Sequence, residues 1–230
     1  MGKGGRMLKL SATDELIYGR FMEEGIFEEL KPESIPQADG VIAVLCADGD
    51  RFHDAMQDIW DLGSAQRTKR RSHACGVAGG ATQAAEDPFA NPITLDVCID
   101  DDAPMKSIEE IRFRLIFPNG EHLVIRTKTK RLLGPMTSVV LLANIKAAEE
   151  MNGIETLLLV AHAPCGVANN LGWDLAVITA KVLAAEDVVR ERIAGEHDLH
   201  IVPICRVLRG EREVAHRVNR ERFAAWNARR

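Results

Sequence analysis

The amino-acid sequence predicts an α/β fold with a partly parallel central sheet, and three observations lead there. Two short runs, "GVIAVLCA" at 40–47 and "IETLLLVAH" at 154–162, are almost continuously apolar, as strands covered on both faces are. Segments with helical spacing of apolar residues lie before, between and after them. A further region, "IRFRLIFPNGEHLVIRTKTK" at 111–130, alternates apolar and charged residues on both sides of an Asn-Gly pair, a strong local signal for an antiparallel hairpin. The order strand, helix, hairpin, helix, strand, helix, strand places helices against a sheet in one layered domain spanning 1–230.

Each element has its own reason. Residues 13–30 carry apolar side chains at helical spacing after a Thr-Asp that can cap the start, with Gly25 as a break. The strand at 40–47 follows, and "HDAMQDIWDLG" at 53–63 predicts a helix ending at Gly63. The basic stretch "QRTKRRSHACGVAGGATQ" at 66–83 reads as a loop with solvated Arg and Lys and with glycines that permit tight turns. The acidic run "CIDDDAP" at 98–104 reads as a solvated turn before the hairpin. Residues 137–152 form a helix closed by Gly153, and 172–194 a long helix. "LHIVPICRVLRGEREVAHRV" at 199–218 gives a last strand, a turn containing Gly210 and a short strand.

Composition narrows the function classes. The chain has 230 residues, is 46% hydrophobic and 27% charged, and has a formal net charge of −5, which is ordinary for a globular protein. An acidic balance provides no global cationic field for phosphate backbones, so nucleic acid is not an expected partner. No apolar run approaches the roughly 20 residues of a membrane span, and the N-terminus lacks the apolar centre of a secretory signal. A cytoplasmic location and no membrane association are expected. Five scattered cysteines, an odd number, do not make a disulfide framework for a chain of this length, which leaves reduced thiols or metal ligands.

The chemistry concentrates where the two apolar strands end. In open α/β sheets ligands gather at the carboxyl ends of strands, and here "LCADGDR" follows one strand and "AHAPCG" the other. His162 and Cys165, in His-x-x-Cys spacing, reach one ion from a single turn, and Cys46 on a neighbouring strand supplies a third donor. One nitrogen and two sulfurs favour Zn2+ over magnesium or calcium. Cys98 and Cys205 read as small core hydrophobes. His73 and Cys75, in His-x-Cys spacing, are a weaker second metal candidate, and His53 reads as a helix-surface residue before a proton shuttle.

These residues resemble the β-class carbonic anhydrases. "CADGDR" at 46–51 is similar to that family's Cys-x-Asp-Ser-Arg signature, and "HAPCG" at 162–166 to its His-x-x-Cys-Gly. "GVAGGA" at 76–81, "SVVLLANIKAAEEMNGIETLLLVAH" at 138–162 and "LHIVPICRVLRGERE" at 199–213 resemble the segments around those signatures. The likeness implies a β-carbonic-anhydrase-like sandwich with flanking helices and a zinc held by Cys46, His162 and Cys165. It implies reversible hydration of carbon dioxide to bicarbonate, with Asp48 and Arg51 as the catalytic pair. Asp48 either orients the nucleophile or binds zinc as a fourth ligand, depending on whether Arg51 holds its carboxylate. The family's dimers are embraced by N-terminal helices, so a homodimer or a higher even homo-oligomer is expected, with residues 13–30 supplying the apolar stripe.

Two departures stand out. Arg51 follows Asp48 by three residues where the family has two, and His162 follows Cys46 by 116, far more than in the family. The surplus is an inserted β-hairpin lobe at about 84–135. Two other functions stay open on the same residues: hydrolysis of another small heterocumulene, carbonyl sulfide or carbon disulfide, and a non-catalytic zinc protein whose lobe binds a partner.

Overall fold

The computed structural model describes residues 9–31, 35, 40–46, 71–77, 80–85, 94–98, 110–116, 122–128, 135–152, 154–194, 199–210 and 212–230. In chain order the elements are α1 (Ala12–Glu23), β1 (Phe27–Glu29), β2 (Gly40–Cys46), β3 (Arg71–Val77), a 3-10 turn (Gly80–Ala84), β4 (Thr94–Cys98), β5 (Glu110–Ile116) and β6 (His122–Lys128). After them come α2 (Pro135–Asn152), β7 (Thr156–Ala163), α3 (Gly166–Asn170), α4 (Leu175–Val189), a π turn (Arg190–Ala194), β8 (His200–Arg209), β9 (Arg212–Val218) and α5 (Arg220–Asn227).

Six strands make a mixed sheet in the order β1-β9-β8-β7-β2-β3. The four strands from β8 to β3 run parallel, and β9 and β1 add antiparallel at one edge. This is the α/β class with a partly parallel sheet that the apolar runs predict. β2 and β7 are buried along their whole lengths because both faces of the sheet are covered. Ile42, Val44, Leu157, Leu159, Ile201 and Val207 belong to the larger core with residues of α1, α2, α4 and α5. Val41, Ala43, Leu45, Leu158, Val160, Val202 and Ile204 alternate onto the opposite face.

Several expectations are corrected. The helix beginning near residue 13 ends at Glu23, at the break expected at Gly25, which takes a left-handed φ of +66° and turns the chain, so it does not extend to residue 30. Residues 27–29 then leave the helix and pair with β9. Residues 71–77, read as part of a loop, are a strand: seven residues from Arg71 to Val77 match Gly40 to Cys46 one for one along β2. The expected hairpin is present as β5 and β6, and β4 extends it to a separate three-stranded antiparallel sheet, β4-β5-β6. The helix expected at 53–63 lies outside the described residues. The helix expected at 172–194 starts at Leu175, capped by the Asp174 carboxylate on the Val177 N–H at 2.9 Å.

The first and last helices close over one end of the molecule. Phe21 of α1 meets Phe27, Phe223 and Trp226 edge-on at ring distances of 5.0, 5.8 and 4.9 Å. Asp14, buried in α1, accepts the Leu175 N–H of α4 at 2.7 Å, so it satisfies one of the donors that a helix start leaves open. The buried Glu186 carboxylate takes guanidinium bonds from Arg190 at 2.7 Å and from Arg220 at 2.8 Å, which ties α5 to α4. The stripe of α1 formed by Ile17 and Phe21 is therefore buried within its own chain. Among the described residues no helix is long and apolar enough to cross a membrane.

Candidate metal centre

Parallel pairing puts the carboxyl ends of β2 and β7 side by side. Ile42, Ala43 and Val44 register with Leu157, Leu158 and Leu159, so Cys46 at the end of β2 and His162 near the end of β7 come to the same edge. A cis peptide between Ala163 and Pro164 follows β7, and Cys165 takes the N-cap position of the short α3 without using its side chain as the cap.

The result is a cluster. The donor atoms of Cys46, His162 and Cys165 lie within 4.8 Å of one another, and all three residues are buried. Zinc bonds sulfur at about 2.3 Å and nitrogen at about 2.0 Å, so atoms that share one ion are at most about 4.6 Å apart. The cluster is of that size and can hold a metal ion. The imidazole is prepared for it: Nδ1 donates to the Pro164 carbonyl oxygen at 3.0 Å, which leaves the lone pair on Nε2. That Nε2 is buried with no hydrogen-bond partner. Among the described residues no other set of three His, Cys, Asp or Glu donors comes together.

The cluster also favours thiolate. A hydrogen bond from the Cys46 thiol holds Cys165 down to about 4, against burial, and the His162 ring and the Ala168 N–H add to the effect. Cys75 on β3 and Cys205 on β8 behave in the opposite way, because burial pushes both thiols up. Cys205 is fully buried, the core role expected of it. His73 and Cys75 stand on β3 opposite Ile42 and Val44, and neither joins a metal cluster.

Gly80 sets the floor of the site. A Cβ there would stand 2.5 Å from the Val160 oxygen and 3.0 Å from the Cys46 nitrogen, and the residue has a φ of +60°. Only glycine lets the 3-10 turn approach both strands this closely. One strand further on, Arg206 of β8 is the register partner of His162. It is buried and ion-paired at 2.9 Å to Glu213 of β9, whose side chain is enclosed as well. That pair was not among the sequence candidates. Its signal was an arginine inside the apolar run "IVPICRVL", where a buried charge needs a partner.

Asp48 and Arg51 lie outside the described residues, as do Asp50 and His53. The structure thus brings together the three metal-ligand candidates. Comparison with protein-family models, with curated proteins and with solved structures finds no match for this chain.

Proposed function

We propose that this chain is a zinc enzyme of the β-carbonic-anhydrase type that hydrates carbon dioxide reversibly to bicarbonate. The observation that carries the reading is the His162 ring: Nδ1 is committed to Pro164, Nε2 is buried without a partner, and two cysteine sulfurs are within 4.8 Å. An unmet buried acceptor costs about 1–3 kcal/mol, a loss that a metal bond removes. One imidazole and two thiolates suit zinc, whereas magnesium and calcium prefer oxygen. The likeness of "CADGDR" and "HAPCG" to the family's two signatures supports the choice of reaction.

Zinc held there supplies hydroxide near neutral pH by acidifying a water molecule. The chain's own residues do the rest. Cys46 and Cys165, as thiolates, balance the charge of a dication. The Pro164 carbonyl fixes the tautomer and the tilt of His162, as the outer partners of metal-bound imidazoles do. In this reading Asp48 accepts a hydrogen bond from the nucleophile, and Arg51 keeps the carboxylate from binding the metal in its place. A homodimer belongs to the same reading, and its interface needs a surface other than the buried stripe of α1.

Elemental analysis of protein purified without chelator tests the metal, with about one zinc per chain expected. Stopped-flow carbon dioxide hydration on metal-replete protein tests the reaction, with activity rising under alkaline conditions. Absence of any transition metal would sink the whole reading. Zinc without hydration would leave the metal centre and remove the enzyme.

A further inference from the structure

We propose that Cys46 and Cys165 form a reversible disulfide in the metal-free protein, so that a peroxide can close the metal centre. The regulatory half rests on reading the cluster as a zinc site; the disulfide half does not.

Three observations carry it. The two sulfurs lie within 4.8 Å of one another, so forming the bond of about 2.0 Å needs only a short approach. Cys165 stands at the N-cap of α3 and not within it, so its side chain can turn towards Cys46 without breaking a helical turn. Cys75, on β3 two residues before the register partner of Cys46, and Cys205, fully enclosed on β8, do not join the cluster. Cys46, Cys75, Cys165 and Cys205 are all reduced.

The step balances. One sulfur attacks an oxygen of hydrogen peroxide, the O–O bond breaks and a sulfenic acid forms, with the departing hydroxide leaving as water once protonated. The second sulfur attacks the sulfenic sulfur, the S–O bond breaks and a second water departs. Two thiols lose two electrons and two protons, and the peroxide is reduced to two waters. Since the thiolate and not the disulfide is the metal ligand, the oxidised chain keeps one of its three donors. Bound zinc, by occupying both sulfurs, protects them.

The test uses the full chain, stripped of metal by a chelator under reducing conditions, freed of both and treated with stoichiometric hydrogen peroxide. A zinc-loaded sample is treated in parallel. Intact mass should fall by two hydrogen atoms in the metal-free sample alone, and non-reducing peptide mapping should find Cys46 joined to Cys165. The oxidised protein should no longer bind zinc in a calorimetric titration, and dithiothreitol should restore binding. Cys165→Ser should give no internal link, while Cys75→Ser should link as the parent does. Oxygen addition at Cys46 or Cys165, or a link through another cysteine, would overturn the proposal. If the reduced protein binds zinc and no link forms, the disulfide fails and the zinc reading stands. If the link forms in a chain that never binds zinc, the regulatory role fails together with the zinc reading.

Discussion

Two buried histidines, His162 and His216, present the same local problem and opposite solutions. Each has one ring nitrogen engaged and one buried without a partner: His162 bonds Pro164 through Nδ1, and His216 meets the Tyr18 hydroxyl through Nε2 at 3.2 Å. The difference is in what surrounds the idle nitrogen. Around His162 are two sulfurs, one of them held down to about 4. Around His216 are rings: Phe27 stacks on it at 5.1 Å and 5°, Tyr18 lies 5.5 Å away, and burial pushes its pKa down to about 4. The first imidazole has soft donors beside its idle nitrogen; the second has only carbon. An unpartnered nitrogen alone therefore does not make a metal site, and the soft donors beside it decide.

The largest break in this comparison comes from removing one of those donors. Cys165→Ser should take zinc content from about one per chain to near zero, because an alkoxide is far less available than a thiolate at neutral pH. His216→Phe should leave it unchanged. Next in size is the aromatic joint beside His216: Phe21→Ala should lower stability by about 3–5 kcal/mol in urea unfolding, without lowering zinc per folded chain.

The third effect is the pH response of His216. In the unfolded chain it takes up a proton below its ordinary 6.5, and in the folded chain only below about 4. The unfolded state binds more protons between those values, so stability falls as pH drops through that window, by up to roughly 3 kcal/mol. Zinc-free protein should show this loss in urea unfolding at successive pH values, and His216→Phe should flatten it. The smallest effect is at the surface. Arg230 pairs with Asp174 at 3.0 Å with half its side chain exposed, so Arg230→Ala should change stability by less than about 1 kcal/mol. A larger change would mean that charge, and not the ring cluster, holds this end of the molecule.

The strands that carry the candidate metal ligands were legible because they are buried on both faces, which leaves an unbroken apolar run in each, and because each run ends at a cysteine or histidine. Elements defined by a partner were not legible. β3 has the sequence "RSHACGV", with little strand character of its own, and exists through its pairing with β2. The helical spacing that starts near residue 13 continues past Gly25 through Ile26, Phe27 and Leu30, so periodicity alone overruns the end, which the glycine at 25 marks. Arg206 and Glu213 are seven residues apart across the turn at Gly210, and only strand register shows that they meet. The short α5 passed unread because its buried residues, Phe223 and Trp226, mark a single turn.

The three registered pairs between β2 and β7 make the site indifferent to what is threaded between its ligands. Cys46 and His162 are brought together by backbone hydrogen bonds of the sheet, and the connection enters only through the entropy of closing a loop. That entropy grows with the logarithm of length, so doubling the connection costs only about 0.6 kcal/mol. The 115 residues between Cys46 and His162 can therefore accommodate a separate three-stranded sheet at little expense to the cluster's geometry. Sequence distance between the two clustered segments is a nearly neutral variable, and the place to look for constraint is the alignment of two strands, three residues deep.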